Sequence, residues 1–153
     1  MYEISVILGV NQEWPVAVAG AGNIGKALTN YQGLASRGFP VRAIFDIAED
    51  KIGTEVSGLT VEPTSSLSKR VSELNITVGV IATSADAAQE VAQLLIDAGV
   101  QSILNFTAVP LDVADGVTVR RVDLATELQI LSFYQQRESS AANGTGIPLT
   151  AEP

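Results

Sequence analysis

The sequence predicts a doubly wound α/β fold on a mostly parallel sheet, and three observations lead there. Short apolar runs rich in Val, Ile and Ala recur at 16–19, 41–45, 78–82, 101–105 and 117–122, with the length and weak alternation of strands covered on both faces. Segments with apolar residues at helical spacing lie between them, and strands alternating with helices build βαβ units. A chain of 153 residues, 46% hydrophobic and 17% charged, with mean hydropathy +0.27, has the size and apolar content for one buried core.

Taken in order, residues 4–8 form a short amphipathic stretch closed by Gly9, too short for a stable lone helix and read as the end of a longer element. Residues 23–36 carry Ile24, Ala27, Leu28, Tyr31 and Leu34 at helical spacing, with Gly38 just beyond. Residues 64–74 repeat the pattern with Leu67, Val71 and Leu74. Residues 86–98 do so with Ala87, Ala88, Val91, Leu94, Leu95 and Ala98, and Gly99 is the stop. A last helix, 123–137, is different: at about 100° per residue, Leu124, Ala125, Leu128 and Leu131 share one face while Ile130, Phe133 and Tyr134 share another. A surface helix ordinarily has one apolar stripe, so this one either fills an internal groove or reaches onto another subunit. From Ser139 the periodicity ends, and 139–153 are expected to be a disordered tail.

Missing residue types narrow the chemistry. With no Cys and no His, the chain makes no disulfide, no Cys nucleophile, no Ser-His pair and no metal site of the usual zinc ligands. Nine Lys and Arg against 17 Asp and Glu give a net charge of -8, so this chain by itself is not expected to bind nucleic acid. No apolar run reaches the roughly 20 residues of a membrane span, and no signal peptide is visible. The expected location is cytoplasmic, without membrane contact.

Gly20-Ala21-Gly22-Asn23-Ile24-Gly25 follows the first strand and opens the first helix. In that context Gly20 permits the tight turn, Gly22 lets a pyrophosphate approach the backbone, and Gly25 lets helix and strand pack closely, with helix N–H groups facing the anion. Asp46 ends the second strand 21 residues after Gly25, where a carboxylate accepts hydrogen bonds from ribose hydroxyls. These are the marks of a Rossmann-like dinucleotide site. Glu49 and Asp50 follow Asp46, and this acidic segment favours NAD over NADP. Thr83, Ser84, Asn105 and Asp123 sit at strand ends, where open sheets bind ligands; Thr83 and Ser84 serve equally well as turn and cap residues. No Tyr-x-x-x-Lys accompanies Tyr31 or Tyr134, so a cofactor site is present and catalytic residues are not.

Trp14 ahead of that glycine turn, then Asn30-Tyr31 with Gly33, Arg37-Gly38-Phe39, Phe45-Asp46, Lys51-Ile52-Gly53, Ala87-Ala88-Gln89, Ala98-Gly99-Val100, Ile103-Leu104-Asn105-Phe106 and Val122-Asp123-Leu124-Ala125 resemble, in this order, the Rex family of bacterial redox-sensing transcriptional repressors. The resemblance covers about residues 2–137. It implies residues 1–13 as the end of a connector from a winged-helix DNA-binding domain, 14–122 as an NAD(H)-binding domain, and 123–138 as a helix exchanged between subunits of a homodimer. It implies NADH and NAD+ as cofactors, no catalysis, and operator DNA as a partner only through the absent winged-helix domain, with high NADH releasing the operator. Cofactor contacts implied are Gly20, Ala21, Gly22, Asn23, Ile24, Gly25, Asp46, Thr83, Ser84, Asn105, Phe106 and Leu124. Tyr31 and Asp123 resemble the redox-switch pair, and Leu124, Leu128, Ile130, Leu131, Phe133 and Tyr134 are expected at the dimer interface. Two departures are visible: Asn105-Phe106-Thr107-Ala108 replaces the usual Asn-Phe-Ala-Pro, and Ser84 stands where Pro is common. The alternatives are a small NAD-dependent oxidoreductase and a CoA-binding regulatory domain.

Overall fold

The computed structural model describes residues 12–123 together with Ile130 and Ser132. The chain divides into two units, Met1–Val122 and Asp123–Pro153. In the second, Ile130 and Ser132 are helical; Leu124, Leu128, Leu131, Phe133, Tyr134 and the 139–153 segment lie outside the described residues, as does most of the expected connector.

The first unit holds one sheet in the order β3-β4-β2-β1-β5-β6-β7. Its strands are β1 (Val16–Ala19), β2 (Val41–Asp46), β3 (Glu55–Val56), β4 (Leu59–Pro63), β5 (Val78–Ile81), β6 (Ser102–Asn105) and β7 (Thr118–Arg121). All neighbours are parallel except the β3–β4 hairpin. Counted along the chain, the parallel strands run third, second, first, fourth, fifth, sixth across the sheet, which is the Rossmann order with its reversal beside β1. Every residue of β1 is buried: Val16 and Val18 join the core on one face with Ile44, Val61 and Val80, while Ala17 and Ala19 join the other with Phe45, Leu67, Ile81 and Leu95. This two-sided burial is why the β1 run lacks alternation.

Helices α1 (Asn23–Asn30), α2 (Gln32–Ser36), α3 (Leu67–Leu74) and α4 (Ala85–Asp97) cover the sheet, with a 3-10 turn at Thr64–Ser66 ahead of α3. Three differences from expectation have local causes. The helix expected over 23–36 breaks at Tyr31, which takes an extended conformation (φ -82, ψ 106); Asn30 and Gly33 are weak helix formers on either side of the break. Between 46 and 64 no strand was expected, yet β3 and β4 form a hairpin around Ser57 and Gly58, both with positive φ. Such a turn suits a two-residue hairpin, but only Val56 and Val61 of its strands are buried, so there is almost no apolar pattern to read. Residues 106–117, joining β6 to β7, contain no helix. Gly99, with φ +104, ends α4 as expected. Among the described residues no helix is long and apolar enough to cross a membrane.

Candidate functional site

The exits of five strands are held level by a ladder of four backbone bonds. Gly20 N–H donates to Phe45 O (2.7 Å), Ala82 N–H to Ala19 O (2.7 Å), Phe106 N–H to Ile81 O (2.9 Å) and Val122 N–H to Asn105 O (2.8 Å). Above this edge lies a cleft of about 240 Å³ lined by Gly20, Gly22, Asp46, Thr83 and Ser84, among others.

The glycine turn is shaped by what cannot fit. Gly20 has φ +112, and a Cβ there would overlap the Ala82 carbonyl; one on Gly25 would overlap the Gly20 carbonyl oxygen. A Cβ on Gly22 would meet nothing within 4 Å, so this glycine leaves room on the cleft side rather than relieving a protein contact. Gly22 is also the N-cap of α1 without a side-chain cap bond. Asn23 is exposed, Ile24 half-buried and Ala21 buried.

Asp46 ties the turn to β2. Its Oδ2 accepts from Ala21 N–H at 2.8 Å and its Oδ1 from Ala48 N–H at 2.9 Å. Burial works against its charge, but the amides of Ala48, Ala21 and Ile47 and the Lys51 cation outweigh this, and the carboxyl is held below the ordinary Asp range.

Thr83 and Ser84 reach the cleft from the exit of β5. Ser84 occupies the N-cap position of α4 yet makes no side-chain cap bond, while the Thr83 hydroxyl donates to Ser84 O at 2.9 Å. Asn105 and Phe106 are at the exit of β6, outside the cleft lining. Asn105 is 1% exposed, and its amide is spent locally: Oδ1 accepts from Thr107 N–H and Oγ1–H, and Nδ2 donates to Val109 O at 2.8 Å. Tyr31 is also away from the cleft lining, 57% exposed, its ring standing where a Gly33 Cβ would be. Asp123 belongs to the second unit, and Leu124 lies outside the described residues.

Ile47, Lys51 and Thr64 line the cleft and were missed. Ile47, 65% exposed directly after Asp46, was the readable signal, an apolar residue in an acidic run; Thr64 follows β4, a strand itself unseen. Glu49 and Asp50 do not line the cleft, so the acidic character expected there comes from Asp46, offset by Lys51. Among the described residues no group of acidic side chains could hold a metal ion.

Residues 11–109 match the family model for the CoA binding domain. The chain is 49% identical over 154 residues to the redox-sensing transcriptional repressor Rex of Streptomyces coelicolor, an alignment covering 99% of this chain and 60% of that protein. To the Rex of Pelotomaculum thermopropionicum it is 43% identical over 142 residues, covering 92% and 67%. Among solved structures it is similar to RSP, a Rex-family repressor, in complex with β-NADH, with TM-score 0.79 and 29% identity over 90% of this chain and 66% of that one. The complex of RSP with β-NAD+ and operator DNA gives TM-score 0.78 and the same identity, covering 90% and 63%. The chain thus spans 60% of the length of the Streptomyces protein.

Proposed function

Because this chain belongs to the Rex family of redox-sensing transcriptional repressors, we propose that it is the NADH/NAD+-sensing and dimerisation part of such a repressor, NADH binding causing release of the operator. The observation that carries the reading is the Asp46 carboxylate, fixed by the amide of the glycine turn at one side of the cleft. A carboxylate offers about four lone-pair sites. Ala21 and Ala48 make the two short bonds and the Ile47 amide also draws on the group, which leaves acceptor capacity for a hydroxyl of an adenosine ribose.

In this reading Gly20, Ala21, Gly22, Asn23, Ile24 and Gly25 hold the pyrophosphate, Thr83 and Ser84 the middle of the dinucleotide, and Asn105, Phe106 and Leu124 its nicotinamide side. The cofactor supplies a nicotinamide ring that is cationic when oxidised and neutral when reduced. Asp123, paired with Tyr31 as the switch, is attracted to the first form and not the second, and only such a difference shifts a conformational equilibrium. Leu124, Leu128, Ile130, Leu131, Phe133 and Tyr134 hold the homodimer. Operator contact falls to a winged-helix domain outside these 153 residues, acting in the cytoplasm. No catalytic role is assigned, in keeping with relatives named as repressors.

Calorimetric titration with NADH, NAD+, NADPH and CoA tests this, with NADH expected to bind and CoA not. The CoA binding domain match favours a second reading, a CoA-binding regulator, but the 3'-phosphate of CoA would meet the Asp46 carboxylate. CoA binding tighter than NADH binding would overturn the proposal in favour of that reading. Ending the chain after Val122 should give a monomer by sedimentation; an unchanged dimer would refute the role of 123–138.

A further inference from the structure

We propose that Gln89 is a positioning residue that sets the nicotinamide side of the site by clamping the backbone of the 106–117 connection, an inference that rests on the dinucleotide reading above. Gln89 lies on α4 and faces the connection with both ends of its amide. Its Nε2 donates to Asp112 O at 2.8 Å, and its Oε1 accepts from Asp112 N–H at 2.8 Å. One side chain thus satisfies both backbone groups of one residue, as a neighbouring strand would.

The connection needs such a clamp. It joins two parallel strands with no helix of its own, at a length where loops without secondary structure become uncommon. At its start it is held by Asn105, at Ala108 O by Arg121 Nη2 (3.1 Å), and in its middle by Gln89.

Geometry places this connection next on the path of a dinucleotide. Asp46 fixes the adenosine side at β2, and the cleft runs over the turn after β1 to Thr83 and Ser84 after β5. Its volume, about 240 Å³, is below the roughly 300–1,000 Å³ of ligand pockets, so the far half of a dinucleotide must continue past β5. The next strand is β6, and its exit is Phe106. The same helix serves both places: Ser84, Ala87 and Val91 line the cleft, and Gln89, about 200° around the axis from Ala87, grips the connection. A ligand that moves α4 therefore moves residues 106–117 with it.

The test compares NADH with ADP-ribose, which keeps the adenosine, pyrophosphate and both riboses but lacks nicotinamide. In the 153-residue chain, Gln89→Leu should weaken NADH about tenfold, and Gln89→Glu should weaken it further, because a carboxylate oxygen would face the Asp112 carbonyl. ADP-ribose affinity should stay within about twofold in both variants. In the unaltered chain, NADH but not ADP-ribose should slow hydrogen exchange at the Asp112 amide, a readout that decides the matter even if neither variant folds. Equal losses for both ligands, no loss for either, or equal exchange protection by both would overturn the inference while leaving the dinucleotide reading intact. Binding of neither ligand by the unaltered chain would overturn both.

Discussion

At the exit of β1 the turn is shaped by the exclusion of side chains at its glycines, with the Asp46 carboxylate bonded to the Ala21 amide, whereas at the exit of β6 side-chain amides reach out to hold the chain. Around Gly20 the constraint is absence: a positive φ, and two positions where a Cβ would strike a carbonyl. Around Asn105 and Gln89 the constraint is supply, with two amides making four hydrogen bonds to backbone and hydroxyl between them besides the contact to Thr107 N–H. The first kind of site tolerates almost no other residue at Gly20 and Gly25. The second could be built from many residue pairs.

The largest effect should come from breaking the backbone turn. Gly25→Ala pushes its new methyl against the Gly20 carbonyl, and with little room to relax it should destabilise the domain by about 3 kcal/mol, lowering Tm by roughly 6–12 °C. Scanning calorimetry checks this. An unchanged Tm would mean that α1 can withdraw from β1, and that the turn is looser than its contacts imply.

Gly22→Val sharpens the comparison within the same turn. Gly22 has φ -82, which Val adopts, and open space at its Cβ position. The fold should survive with Tm nearly unchanged, while NADH affinity should fall by at least roughly a hundredfold as the side chain fills the pyrophosphate's approach. Far-UV circular dichroism with a binding titration separates the two effects. Retained binding would exclude the turn as the site.

A smaller loss is expected at Asp46, where the backbone turn meets a side chain. Asp46→Asn keeps one acceptor but turns an NH2 group toward the N–H of Ala21 or Ala48, so NADH affinity should drop about tenfold. The preference for NADH over NADPH, expected at about tenfold or more in the unaltered chain, should shrink with it. Since Glu49 and Asp50 stand outside the cleft, an unchanged preference in this variant would show that discrimination resides elsewhere.

This contrast also explains what could be read in advance. The six-residue glycine turn, Asp46, the central strands β1, β2 and β5 and helix α4 were legible because burial and the exclusion of Cβ atoms restrict residue choice at the positions themselves. The break at Tyr31 was hidden because its neighbours still carry apolar residues at helical spacing. The β3–β4 hairpin left two buried residues and no pattern. Gln89 sits 23 residues from Asp112 and bonds only its backbone, so nothing in the identity of Asp112 announces the contact. Ile47 stood out as an apolar residue in an acidic run, but that Lys51, five residues after Asp46, also faces the cleft is set by how the chain leaves the strand, not by composition.

The smallest expected effect is the response of binding to pH, and its direction follows from Asp46. A folded-state pKa held below the ordinary value means that Asp46 contributes stability above about pH 3.9, where the unfolded carboxyl ionises, and loses that contribution as pH falls through the lower folded value. Between about pH 5.5 and 7.5 the group therefore stays a carboxylate, able to accept both its amide bonds and those of a ribose. With no His in the chain, no side chain has its ordinary pKa in that interval. NADH affinity should accordingly vary by less than about twofold across it, measured by titration at constant ionic strength. Acidification below about pH 4 should remove more stability from the unaltered chain than from Asp46→Asn, because only the former has this charge to neutralise. A step in affinity near pH 6 would mean that the carboxylate titrates far above the range its amide partners impose, and that the bonds from Ala21 and Ala48 do not hold it in solution.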